Sequence, residues 1–394
     1  MTLNALPIHE SILPPAVPQR LSGAVRFGIL SAYTPTPNGL TRFSAGLSGA
    51  LCAQGSEVGV VRMADAHPSS SGQLIGVPVN GSAPSVATCK DLLNQVDVAV
   101  IQHEFGIYGG VVGDEVLDIV DGLRVPSIVI AHTIPKSPTP HQRLVLEAVA
   151  AMAGQVVVMS EAGRQRLCLT YAVDRRKVTT IPHGATIPSN PRAKRPSRPT
   201  ILTWGLLGPG KGIERVIDAM PSLNDVPGRP RYLVAGPTHA KVLAAEGEAY
   251  RNARIEQAWR NGVADSVSFD SGYYNHSMLA ALIQQSSVVV LPYDSTEQVT
   301  SGVLVDAIAN GRPVVATAFP HAAELLDSGA GIVVDHDDPV ALASALRQII
   351  TQPRLAGSMA AEARRRAPEM AWPAVASAYV GLAHRLLAQG WTRV

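Results

Sequence analysis

Lys211 is the residue with the most explicit chemistry. It closes "GLLGPGKG" (205–212), where Gly205, Gly210 and Lys211 fit the GxxxxGK spacing of a phosphate-binding loop. The next position is Gly212, where that motif needs Ser or Thr to hold magnesium, so a phosphate-transferring loop of that type is disfavoured. What remains is a lysine among glycines at a helix start, a good point charge for a diphosphate. A second stretch, "STEQVTSGVLVDAIAN" (295–310), brings Ser301 and Gly302 to a helix start, where backbone N–H groups can hold a phosphate. Asp306, about a turn further on, could accept hydrogen bonds from ribose hydroxyls. Gly39, after Asn38, opens another helix and would let backbone approach an anion. His103 and Glu104 form a polar pair before a loop containing Gly109 and Gly110, a combination suited to hydroxyl recognition. His132 follows "PSIVIA" (126–131); catalysis, sugar-hydroxyl binding and a structural role all stay open for it.

These residues share one position: each follows an apolar, β-branched run. "VRFGIL" (25–30), "EVGVVRM" (57–63), "VDVAVIQ" (96–102), "PSIVIA", "QVVVMS" (155–160) and "KVTTIP" (177–182) read as strands, with helical patterns such as "LTRFSAGLSGALCAQG" (40–55) between them. Near-continuous apolar runs imply strands covered on both faces. The alternation restarts at "ILTWG" (201–205) and continues through "RYLVAG" (231–236), "SVSFDSG" (266–272), "SVVVLPY" (287–293) and "RPVVAT" (312–317), with Asn275 as an N-cap for "SMLAALIQQ". The expected fold is α/β: two tandem Rossmann-like, doubly wound domains facing a cleft. Residues 1–24 form a leader, 25–187 the first domain, 188–199 a Pro- and Arg-rich linker, 200–368 the second domain and 369–394 a terminal helical segment.

Composition narrows the function classes. The chain has 394 residues, 46% hydrophobic and 16% charged, with a net charge of +2; nothing in that balance asks for nucleic acid. Cys52, Cys89 and Cys168 lie far apart, without zinc or disulfide spacing, which favours a reducing, cytoplasmic setting. The absence of a spanning apolar run or signal-peptide pattern agrees. Basic clusters at Arg192, Lys194, Arg195, Arg198 and at Arg364, Arg365, Arg366 read as solvated surface, with peripheral membrane contact left open. No DxD motif is present; "DHDDP" (335–339) reads as a loop and helix cap, and no metal ligand is expected. Tyr33, Phe105, Tyr108, Tyr273 and Tyr274 lie near strand ends, where they could stack on a ring or pack in the core.

Over roughly residues 25–390 the chain resembles a retaining glycosyltransferase of the GT-B fold, family 4. The residues that carry the resemblance are Gly39, the pair His132-Thr133, "VVVMSEAGRQRL" with "IPHG" (181–184), Lys211-Gly212, "QVTSGVLVDA" with "HEFGIYGG", and the closing "WPAVASAY". The resemblance implies that Gly39 and Lys211 contact a donor diphosphate, that His132 contacts the donor sugar, and that the last helix crosses back to the first domain. It also departs from the family. Leu206 stands where the family usually has arginine, and of the family's two glutamates Gln298 occupies the first place and Asp306 the second, with Glu297 one position off. The implied site is a variant nucleotide-sugar cradle: Gly205, Lys211, Ser301, Gly302 and Asp306 on nucleotide and diphosphate, Glu297 or Gln298 on the sugar, and His103, Glu104, Gly109 and Gly110 on the acceptor side. His132, Lys211 and Gln298 would be catalytic.

The implied activity is hexosyl transfer, mannose or glucose, from a nucleotide-diphosphate sugar such as GDP-mannose or UDP-glucose to a carbohydrate or glycolipid hydroxyl, with no separate cofactor. A glycoside phosphorylase or sugar-nucleotide epimerase on the same fold, or a non-catalytic sugar-nucleotide-binding subunit, are the rivals.

Overall fold

The computed structural model describes residues 24–33, 39–63, 71–189 and 197–390. The leader at 1–24, except Ala24, and most of the linker, with Arg192, Lys194 and Arg195, lie outside the described residues. In the first domain the strands are β1 Arg26–Ser31, β2 Glu57–Arg62, β3 Leu74–Gly76, β4 Val98–His103, β5 Ser127–Ala131, β6 Gln155–Val158 and β7 Val178–Thr180. Its helices are α1 Gly39–Ala53, α2 Ala83–Leu93, α3 Glu115–Asp121, α4 Pro140–Met152 and α5 Glu161–Thr170. The second domain has β8 Thr200–Trp204, β9 Arg231–Ala235, β10 Val267–Asp270, β11 Val288–Leu291, β12 Val314–Thr317 and β13 Gly331–Val334. Its helices are α6 Ile213–Ala219, α7 Ala240–Glu246, α8 Ala249–Arg260, α9 His276–Gln285, α10 Gly302–Ala309, α11 Pro320–Leu326, α12 Pro339–Thr351 and α13 Pro353–Arg366, and the chain closes on α14, Trp372–Ala388.

Both sheets are parallel throughout, with orders β3-β2-β1-β4-β5-β6-β7 and β10-β9-β8-β11-β12-β13. This is the two-domain GT-B arrangement. Each order reverses once, between β1 and β4 and between β8 and β11, and ligands of such sheets sit outside the strand ends at the reversal. The apolar runs are buried on both faces: every residue of β4, β5, β8, β11 and β12 is buried, because helices cover both sides of each sheet. Two short strands, β3 and β13, escaped the sequence reading; each has only three or four residues including a glycine, lies at a sheet edge and is not fully buried. After Asp338 the chain forms two helices, α12 and α13, because Gln352 precedes Pro353 and leaves the helical region, at φ −115° and ψ 85°. Asn275 and Asp338 cap as expected, accepting from Met278 N and Ala341 N.

The domains meet along two seams. On one, the loop before α10 enters the first domain: Val299 is buried in the first-domain core, and its carbonyl accepts from Ser160 Oγ at 2.6 Å. Beside it, the Glu324 carboxylate accepts from the Glu161 and Ala162 amides at 2.9 and 2.7 Å, so a second-domain acid caps a first-domain helix. On the other seam α14 crosses back and packs Val375, Ala376, Tyr379, Leu382, Ala383 and Leu386 into the core beneath α1.

Candidate active site

The strand ends at the two reversals open on a single cleft cavity of about 410 Å³. Residues following β1, β4 and β5 line it from the first domain; residues following β8, β9, β10 and β11 line it from the second.

Lys211 belongs to the tight loop that leads into α6. Gly212 takes φ +62°, and a Cβ there would lie 1.7 Å from the Pro292 carbonyl oxygen, so only glycine fits between this loop and the end of β11. The result places the Lys211 ammonium 4.5 Å from the ring centroid of Tyr293, a cation–π contact. Burial lowers the pKa of Lys211. Opposite stands the start of α10, where the Gly302 and Val303 amides have no partner among the described residues and both residues line the cavity. Gly39 lines it too, at the first residue of α1, and among the described residues nothing beyond its chain neighbours and its own helix backbone lies within 4 Å of where its Cβ would be. Two helix N-termini and a half-buried lysine thus surround one volume, an arrangement that attracts an anion.

Asp306 lines the cavity one turn into α10. Burial pushes its carboxyl up to about 7, with the Arg42 charge acting in the opposite direction. The folded protein therefore holds a proton that the unfolded chain, with an ordinary value of 3.8, has released. Over that interval stability falls as pH rises. Wild type should lose stability relative to Asp306→Asn between about pH 4 and pH 7, as read from melting temperatures of the ligand-free proteins. A difference that stays constant across this range would contradict the buried-acid assignment.

His132 receives two constraints. Gln102 donates its amide to Ser44 Oγ at 2.7 Å, which turns Gln102 Oε1 toward His132 Nε2, also at 2.7 Å. Nε2–H is therefore the donor, and burial drives the pKa down to about 3, so the ring is neutral with Nδ1 as an acceptor. Phe43 stands edge-on to both His132 and His183, at 5.1 and 5.0 Å. His183, quoted in "IPHG" but not read as a site residue, lines the cavity as well. Its Nδ1–H donates to the Gly184 carbonyl at 2.8 Å, and a Cβ on Gly302 would come within 2.9 Å of its Nε2. The glycine at 302 thus admits a first-domain histidine against a second-domain helix start.

Several expected positions lie elsewhere. His103 ends β4 and is 1% exposed, its ring edge-on to Phe105; it does not line the cavity. Glu104, the next residue, does, and accepts from Thr133 Oγ1 at 2.5 Å. Gly109 and Gly110 are drawn away because Glu115 gathers the loop, accepting from Gly109 N at 3.0 Å and Gly81 N at 2.8 Å. Ser301 is an N-cap, accepting from Leu304 N, and its own amide donates to His321 Nδ1 at 2.9 Å, so the amide expected to hold phosphate is already used. Glu297 accepts from Lys136 N at 3.2 Å, and Gln298 donates to the Thr300 carbonyl at 2.8 Å; both lie on the seam side of the loop, outside the cavity lining. Of the aromatic residues, Tyr273 and Tyr274 line the cavity, whereas Tyr33 and Tyr108 are core. The remaining lining includes Arg42, Trp204, Leu206 and His239, none of which was singled out as a ligand contact.

Residues 198–352 match the family model described as Glycosyl transferases group 1. The match spans most of the second domain. A D-inositol 3-phosphate glycosyltransferase of Segniliparus rotundus is 27% identical over 282 residues, covering 66% of this chain and 60% of the relative. A glycogen synthase of Mycobacterium tuberculosis is 28% identical over 207 residues, 51% of this chain and 47% of the relative. The chain therefore spans less than two thirds of the length of these relatives. Among solved structures, sucrose-phosphate synthase from Thermosynechococcus elongatus superposes with a TM-score of 0.74 at 18% identity, over 93% of this chain and all of that one. Anabaena HepE in complex with UDP and glucose superposes with a TM-score of 0.73 at 17% identity, over 92% of this chain and all of that one. Both likenesses bear on fold alone. Among the described residues no cluster of three or more His, Cys, Asp or Glu could hold a metal ion, and no helix is long and apolar enough to cross a membrane.

Proposed function

We propose that the chain transfers a hexose from a nucleotide-diphosphate sugar to an acceptor hydroxyl with retention of configuration. The observation that carries this reading is the meeting of Lys211 with the α1 and α10 N-termini around one cavity between two nucleotide-fold sheets. Breaking a glycosyl–phosphate bond develops negative charge on the departing diphosphate, and fixed positive groups aimed there lower the barrier. Lys211 and the Gly302 and Val303 amides supply that charge. Asp306 takes ribose hydroxyls. His132, neutral and open at Nδ1, accepts from a hydroxyl of the transferred sugar, and Glu104 faces the acceptor. The acceptor hydroxyl attacks on the face that the diphosphate leaves, and the departing phosphate oxygen takes its proton, so no enzyme-linked sugar forms. The relatives' names make an inositol phosphate the first acceptor to try, and the UDP-bound neighbour makes UDP-glucose the first donor, with GDP-mannose beside it.

The test is release of nucleoside diphosphate from each donor with and without acceptors, with the anomeric configuration of the product read by NMR. Acceptor-dependent release with the donor's configuration kept is expected. Dependence on inorganic phosphate would indicate a phosphorylase, and interconversion of the donor sugar an epimerase. Tight donor binding without turnover on any acceptor would indicate a binding subunit.

A further inference from the structure

The lysine and arginine side chains among the described cavity-lining residues are Lys211 from the second domain and Arg42 from the first. A sugar-linked diphosphate carries charge on both phosphates, and the second domain offers a single such cation. Arg42 lies on the first turn of α1, and its Nη2 donates across the cleft to the Tyr274 carbonyl at 3.0 Å. Tyr274 belongs to the loop between β10 and α9 in the second domain and also lines the cavity. A guanidinium has five N–H donors. That bond uses one, and the others have no partner among the described residues. Arg42 also borders the small annex behind the cavity, where Asp306 and Asn310 join it. Among the described residues the head group is thus held by one bond, at the wall of the cavity.

Resting on the donor reading above, we propose that Arg42 is a second cation for the donor diphosphate, supplied by the opposite domain. A planar guanidinium can bind two phosphate oxygens at once. Because Arg42 sits on one domain and Lys211 on the other, the diphosphate is gripped by both only while the cleft is closed, so donor binding and closure are coupled. The residue determines affinity for the charged part of the donor and leaves the nucleoside part to the second domain.

The test compares UDP, UMP and uridine binding, with GDP and GMP in parallel, in wild type, Arg42→Ala, Arg42→Lys and Lys211→Ala by calorimetry, each variant first checked for an unchanged circular-dichroism melt. Arg42→Ala should weaken the bound diphosphate by about tenfold or more, weaken the monophosphate markedly less, and leave the nucleoside unchanged, with Arg42→Lys recovering part of the loss. Equal loss on diphosphate and nucleoside, or no loss at all, overturns the assignment. If Lys211→Ala loses the diphosphate while Arg42→Ala keeps it, the donor reading stands and this inference falls. If wild type binds neither diphosphate, both fall together.

Discussion

Lys211→Ala is expected to reduce kcat/KM for the nucleotide-sugar donor by about 10²–10³-fold, the usual cost of removing one preorganised group from a developing oxyanion. The folded state should barely notice. The ammonium is drawn from water against the face of Tyr293, and burial there disfavours its charged form and lowers its pKa. Truncation removes that burden along with the contact, so the melting temperature should stay near wild type while activity collapses. An incoming diphosphate reverses the balance by restoring a partner to the charge. Donor affinity should therefore be retained while Lys211 is protonated and decline as pH rises through its lowered pKa. Steady-state kinetics across pH for wild type and Lys211→Ala check both statements; a variant with wild-type kcat/KM would remove the central element of the proposed mechanism. Gly212 guards the same geometry, since a side chain there would strike the end of β11.

The cavity was legible in the sequence wherever a lining residue follows its strand directly. Gly39, Glu104, His132, Gly205, Lys211, Gly302 and Asp306 all come soon after apolar runs, and the doubly wound topology brings those strand ends to one face. Their roles remain part of the proposal; their convergence is geometric. Period alone could not separate His103 from Glu104, neighbours of which the first still belongs to the buried strand and the second leaves it. Nor could local spacing show that Ser301 gives its amide to His321, twenty residues away, or that Val299 docks in the other domain's core and turns Glu297 and Gln298 toward the seam. Arg42 and His183 were missed for a related reason. Each sits in an ordinary helical or loop pattern and reaches the cavity only through packing between the domains.

Trp372→Ala should have the largest effect on stability, about 3 kcal/mol, the low end for a buried tryptophan because this ring is partly exposed. Its indole lies between two glycines. A Cβ on Gly46 would fall 2.3 Å from Cε2, and one on Gly184 would fall 2.2 Å from Cε3, so α1 and the loop after β7 leave a slot one ring thick. Backbone bonds fix the ring there: Trp372 N donates to the Ala185 carbonyl at 3.1 Å, and Ala185 N to the Met370 carbonyl at 2.7 Å. The slot and the ring account for each other, which gives a test with a change of sign. In wild type, Gly46→Ala should destabilise, because the new methyl must displace the indole. In a Trp372→Ala background the same change should be neutral or stabilising by up to about 1 kcal/mol, the helix preference of alanine over glycine. Denaturant midpoints of the four proteins decide it, and additive effects would refute the slot. Activity should follow stability only in part. Trp372 stands edge-on to Phe43 at 5.4 Å, and Phe43 in turn supports His132 and His183. Loss of the indole frees Phe43 to tilt and loosens both histidines, so kcat should drop under conditions where the variant is still fully folded. The anchor of the terminal helix is thereby also the backing of the cavity wall, which ties the crossing of the last helix to the chemistry proposed in the cleft.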